Sequence, residues 1–296
     1  MTVSQYQTLH KAPGFNYSPY TVYNVSLLFP NDNKLGIEAS QTLAKNHASS
    51  DFILGSQKDE PKPHDSLYMI YAKKGKELEE NLKKTILSIA SKWKEFTVPP
   101  DKYLHGADGM FEIKRHNTDD VRALQKEVVE KTQEFRDPEH RYAQFTPPGD
   151  ERTPEWHASL PAHIRKNMDD YGYEELGKSP VGIGHSGNTG EEGLRIHTTL
   201  AKIPASEKID ISQLPSINAF KGKAKAIGIF EMGPNGTCPS EIAIYPLKKA
   251  QSSTWSTVSE KLMKTLQQIK LSFITLLKPF LKLRAWTSTS VRIIGA

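Results

Sequence analysis

Apolar residues recur along this chain in two rhythms, and the switches between them mark its elements. Residues 21–29 (TVYNVSLLF) are β-branched and aromatic and end at Pro30–Asn31, which predicts a strand. Residues 35–45 have helical composition, with Leu35, Ile37, Leu43 and Ala44 as the apolar members. A polar loop over 56–63 leads to a second apolar strand, 66–72 (SLYMIYA). In 77–94, Leu78, Leu82, Ile86, Ile89 and Trp93 fall three or four residues apart, and Glu79/Lys83 and Glu80/Lys84 are favourable i,i+4 pairs, so a helix is predicted there. The pattern then repeats. Residues 109–114 (GMFEIK) predict a strand and 118–135 an amphipathic helix, with Val121, Leu124, Val128 and Phe135 on its face and Thr118 or Asp119 as N-cap.

Residues 136–193 break the rhythm with six Pro and eight Gly. They are expected to form an irregular insertion, partly helical near 157–171 and Gly-rich over 181–193. Strand signals return at 194–201 (LRIHTTLA), 224–230 (AKAIGIF) and 241–247 (EIAIYPL), and the turn-rich GPNGTCPS joins the last two as a hairpin. The succession is α+β and not doubly wound. It predicts a single domain over 1–250, with a separate helical extension over 251–296.

Charge sharpens that boundary. The 296 residues carry a net charge of +5 and a pI near 9.0, which taken alone suggests nucleic-acid binding. Yet residues 251–296 hold seven basic side chains and one acidic one, so the preceding 250 are near neutral. A protein-wide basic surface for gripping extended DNA is thereby excluded. The single cysteine, Cys238, excludes an intramolecular disulfide and any multi-Cys metal site and fits a reducing compartment. The N-terminal residues show no apolar signal region, and the longest apolar stretch, LSFITLLKPFLKL, is too short and too charged to span a bilayer. A cytoplasmic monomer is the expectation.

Two tetrapeptides carry candidate chemistry: His64-Asp65-Ser66-Leu67 and His197-Thr198-Thr199-Leu200. Side chains on a strand alternate faces, so His64 shares a face with Ser66, and His197 with Thr199. A hydroxyl can donate to a phosphate oxygen while one imidazole takes a proton from the attacking group and another protonates the leaving oxygen. The spacing alone is common. His47, His116 and His157 also have Ser or Thr two residues later, but only His64 and His197 open an apolar strand that runs on past the hydroxyl.

The pair HDSL and HTTL resembles the two H-x-[ST]-hydrophobic signatures of the 2H phosphoesterase superfamily. That group includes the RNA 2′,3′-cyclic phosphodiesterase/2′-5′ RNA ligase-like proteins and the 2′,5′-oligoadenylate phosphodiesterases. The succession of strands and helices over roughly 20–135 and 193–248 looks like the family's as well. The resemblance implies a bilobal fold with two pseudo-symmetric antiparallel-sheet lobes, helices outside and a central cleft. It implies hydrolysis of 2′,3′-cyclic or 2′,5′-linked phosphodiesters in nucleotides or RNA ends, without metal or other cofactor. His64 and His197 would be acid and base in an order left open, with Ser66 and Thr199 holding the phosphate. The motif histidines lie 133 residues apart, a departure from compact members that puts the 136–193 insertion at the edge of the cleft.

Alternation along the strand also puts Tyr68 on the face of His64, where it could stack a base, although ordinary packing competes with that role. Tyr245 could reach the cleft from the last strand, with core packing as the competing fate. Asp65 and Thr198 point away from the motif face. The remaining histidines show no metal-ligand spacing such as H-E-x-x-H. In 256–283, Val258, Leu262, Leu266, Ile269, Phe273, Leu276 and Leu277 form an apolar stripe with the lysines largely off it. Such a helix could lie on an anionic membrane, dock a protein partner, pack on the domain or draw in an RNA end. A functional alternative from another class is a non-catalytic phospholigand-binding module anchored through that helix.

Overall fold

In the computed structural model, residues 20–137, 158, 162–171 and 196–249 are described, and all of them belong to one unit spanning 1–249. The expected Gly-rich loop over 181–193, most of the insertion, and the C-terminal extension lie outside the described residues.

Seven strands form one antiparallel sheet in the order β4 (Pro100–His105), β5 (Met110–Arg115), β6 (His197–Lys202), β2 (Asp65–Lys73), β1 (Tyr20–Leu28), β8 (Ala226–Glu231), β9 (Ser240–Pro246). A short ribbon pairs β3 (Phe96–Thr97) with β7 (Lys223–Ala224). The helices are α1 (Asn33–Asn46), α2 (Lys76–Ala90), α3 (Asp119–Thr132) and α4 (Ala162–Tyr171). Thr118 is the N-cap of α3, its hydroxyl accepting from the Val121 amide at 3.4 Å.

The sheet has two halves that repeat each other, β4-β5-β6 and β8-β1-β2, joined where β6 meets β2. The helix that follows β1 packs on β6, and the helix that follows β5 packs on β2. Each half thus lends its helix to the other, which ties the halves together. The fold is α+β, as the sequence pattern predicts, with two pseudo-symmetric halves, as the resemblance implies, and the two sets of strands run on as a single sheet.

The apolar residues of the central strands gather on one face. Val25, Leu27, Tyr68, Ile70, Ile227 and Ile229 pack with Leu82, Ile86 and Ile89 of α2 and Val121, Leu124 and Val128 of α3. Phe111, Ile113 and Leu200 pack with Ala39 and Leu43 of α1. Burying this face supplies most of the driving force for folding. The opposite face of the central strands carries the histidine–hydroxyl pairs.

β4 was not foreseen. The strand forms because Pro100 is its first residue and β4 is at the sheet edge, where a missing N–H breaks no ladder.

Candidate active site

The two motifs meet at one point of register. Asp65 of β2 pairs with Thr198 of β6, antiparallel. That register sets Ser66 beside His197 and His64 beside Thr199. Alternation then brings His64, Ser66, His197 and Thr199 to one face and sends Asp65 and Thr198 to the other.

Each motif strand is bulged at its leucine. On β1, Val25 pairs with Tyr68 and Ser26 with Ser66, so Leu67 is the extra residue. On β5, Phe111 pairs with Ala201 and Glu112 with Thr199, so Leu200 is the extra residue. The shared defect is a second sign that the halves are equivalent. It also corrects the expectation for Tyr68. The bulge reverses the alternation after Ser66, so Tyr68 shares the face of Val25 and lies fully buried among the helices. Tyr245 is likewise on the helix side. It pairs with Ile227, which pairs with Leu27, and it packs partly buried against the core. Neither tyrosine joins the histidines.

The His64 half is built from neutral groups. His64 is partly buried and its Nδ1 donates to the Lys62 carbonyl at 2.7 Å. Nε2 is then the ring's acceptor, and Cys238 Sγ lies 3.3 Å from it, placed to give its S–H. Burial pushes the Cys238 thiol far above its ordinary value, so the sulfur keeps its proton. Burial also holds His64 below the usual 6.5. The Lys62 carbonyl and Asp65 oppose that shift, and nearby His197 adds to it. Phe230 packs beside the ring with centroids 6.2 Å apart. On the same face, Ser26 Oγ donates to Asn24 Oδ1 at 2.9 Å and Asn24 Nδ2 donates to Ser66 Oγ at 2.8 Å. Ser66 therefore accepts from behind, and its own hydrogen can point toward a phosphate oxygen.

The His197 half is charged. Glu112 occupies the place that Ser26 holds in the other half, opposite the motif hydroxyl. Its Oε1 is 3.6 Å from His197 Nε2, and its side chain is buried. Lys114 stands opposite His197 across the β5–β6 pair and is 4.0 Å from Asp101.

Behind the site is a buried clamp. Arg115 Nε donates to Asp65 Oδ2 at 2.8 Å, its NH2 group to Thr198 Oγ1 at 3.3 Å and its NH1 group to Asp32 Oδ2 at 3.3 Å. Thr198 Oγ1 also donates to Asp65 Oδ1. The guanidinium lies 3.9 Å over the Phe29 ring. Asp32 accepts from the backbone amides of Lys221 at 2.7 Å and Gly222 at 2.9 Å, which pins the loop ahead of β7. Gly222 has φ +60, and a Cβ there would be 2.1 Å from the Val98 carbonyl oxygen, so glycine is required. A crevice lined by Asp32, Pro63, His64, Asp65, Arg115, Thr198 and Phe220 lies along this clamp.

Sequence reasoning missed Glu112, Asn24, Ser26, Cys238 and the clamp. The lone charge inside the strand GMFEIK was the available signal for Glu112. Among the described residues, no group of three or more His, Cys, Asp or Glu side chains is placed to hold a metal ion. No helix among them is long and apolar enough to cross a membrane.

No family model matches the chain, and no curated protein matches it. Solved structures do. The crystal structure of E. coli LigT complexed with ATP is similar at 10% identity, over 78% of this chain and 99% of that one, with a TM-score of 0.43. LigT complexed with phosphate is similar at 11% identity, over 78% and 99%, with a TM-score of 0.42. A crystal structure described as a phosphoesterase is similar at 12% identity, over 78% and 99%, with a TM-score of 0.41.

Proposed function

We propose that this protein is a phosphodiesterase that cleaves 2′,3′-cyclic or 2′,5′-linked diesters of nucleotides or RNA ends by paired-histidine acid–base catalysis. The observation that supports this most directly is the Asp65–Thr198 pairing, whose register gathers two imidazoles and two hydroxyls on one face. Ser66 and Thr199 donate to the non-bridging oxygens as negative charge builds there. His64 and His197 move the protons. These four groups supply what in-line displacement at phosphorus needs, so no metal or other cofactor is assigned a part. A nucleotide-sized diester also needs no broad basic track, which suits the near-neutral 250 residues.

The test is a panel of 2′,3′-cyclic nucleotides, 2′,5′-oligoadenylate and RNA with a cyclic phosphate end. The wild-type protein is expected to turn over at least one of them in the presence of EDTA. His64→Ala or His197→Ala is expected to lower turnover at least about 10³-fold with the melting temperature little changed. Normal turnover by either variant would overturn the assignment. Binding of the panel without turnover would point instead to a phospholigand-binding module. In either case residues 256–283 are the segment proposed for peripheral membrane or protein contact.

A further inference from the structure

The fold makes His64 and His197 equivalent, but their surroundings do not. The place taken by Ser26 opposite Ser66 is taken by Glu112 opposite Thr199. A buried carboxylate on a phosphate-binding face is costly unless a cation sits against it. Glu112 Oε1 lies 3.6 Å from His197 Nε2. Among the described residues, Lys114, opposite it on β5, and His64, across the β2–β6 pairing, also stand near His197. Asp65 and Arg115 are on the far side of the sheet and bonded to each other. Lys114 has Asp101 within 4.0 Å.

We propose that Glu112 is a positioning residue that orients His197 as the general acid, which leaves His64 as the general base. This rests on the phosphodiesterase assignment above. With a 2′,3′-cyclic substrate the water oxygen bonds to phosphorus as its proton passes to His64 Nε2. The bond from phosphorus to one ribose oxygen breaks, and that oxygen takes a proton from the His197 ring. Proton exchange with solvent then restores both rings. The lone pair of His64 Nε2 faces a thiol, a weak donor that an entering water displaces. The hydrogen bond from Nδ1 to the Lys62 carbonyl keeps that lone pair aimed.

The experiment compares a diester that the wild-type protein turns over with the same diester carrying sulfur at the leaving position. A thiolate leaves without being protonated, so it does not need the acid. Glu112→Gln is expected to lower kcat on the oxygen ester roughly 100-fold, with KM within about threefold, and to turn over the sulfur ester within about threefold of wild type. His197→Ala should show the same selective rescue, and His64→Ala should lose both substrates. Glu112→Asp, which keeps the charge on a shorter arm, should recover at least about tenfold of the loss. Equal loss on both esters, no loss on either, or rescue of His64→Ala in place of His197→Ala would overturn the proposal. If Glu112→Gln fails to fold, Glu112→Asp is measured on the same two esters, and an equal loss on both overturns the proposal in the same way. Failure of the phosphodiesterase assignment has a separate signature, since the wild-type protein would then turn over no diester.

Discussion

Asp65 sits between His64 and Ser66, and Thr198 between His197 and Thr199, so the two faces of the β2–β6 junction are written in alternate letters of the same tetrapeptides. On the helix side, Asp65, Thr198, Arg115 and Asp32 are 4% exposed or less and bonded to one another with short, mostly charged contacts. On the other side, His64, Ser66, His197 and Thr199 are only partly buried, with a thiol 3.3 Å from Nε2 of His64 and a carboxylate 3.6 Å from Nε2 of His197. The back of the junction is saturated with hydrogen bonds, and on the front Ser66 accepts from Asn24 and keeps its own hydrogen in reserve. A site that must bind and release a substrate needs that reserve, and a rigid back is what keeps it aimed. The motif histidines hold their places because their neighbours in sequence, pointing the other way, are clamped.

The comparison breaks most directly at Arg115. Arg115→Met keeps most of the volume but leaves the Asp65 and Asp32 carboxylates buried without their cation. Loss of one member of a buried ion pair costs about 3–5 kcal/mol. In a domain of this size that corresponds to a fall in melting temperature on the order of 10 °C. Thermal unfolding checks it, and hydrogen exchange at the Asp65 and Thr198 amides should quicken in step. His197→Ala, on the front, should melt close to wild type while losing turnover. If Arg115→Met melts with the wild type, the back is not a clamp and the division of labour fails.

The hydroxyls sharpen the comparison within the front. Thr199→Ala is expected to lower kcat/KM roughly 10²-fold with little change in stability, as for loss of one donor to a developing oxyanion. Ser66→Ala is expected to lower activity similarly and also to cost about 1 kcal/mol, because Asn24 Nδ2 loses its acceptor in a buried network with Ser26. Steady-state kinetics and denaturant unfolding on both variants separate the two effects. Equal stability for the two variants would mean that the Asn24 relay does not hold Ser66.

Much of this was legible in the sequence, because strand alternation and helical spacing are local. They placed His64 with Ser66, His197 with Thr199, and Asp65 and Thr198 on the reverse side. Two kinds of information were not local. A bulge is a mismatch between partners, so the reversal at Leu67 that carries Tyr68 into the core shows only when Val25 and Ser26 are seen opposite it. The clamp joins Arg115 to Asp32 across 83 residues and to Asp65 across 50, and nothing in any one segment announces those distances. Glu112 is the intermediate case. A charge in the middle of an apolar strand asks for a partner, but which partner depends on the β5–β6 register.

The smallest expected effect concerns the neutral state of His64. Burial depresses its proton affinity in the folded protein below the ordinary value of 6.5. Above that pH the ring is neutral whether the chain is folded or not, and it draws no penalty. As pH falls below 6.5 the unfolded chain takes up the proton while the folded ring resists, so the unfolded state binds more protons and stability declines. The decline levels off once the pH is low enough to charge the folded ring as well. Melting temperatures measured from pH 8 to pH 5 should therefore fall more steeply for the wild-type protein than for His64→Gln, which has no proton to take up. If the wild-type and His64→Gln curves run parallel, burial is not what keeps His64 neutral, and the charge difference between the two halves of the front face loses its physical basis.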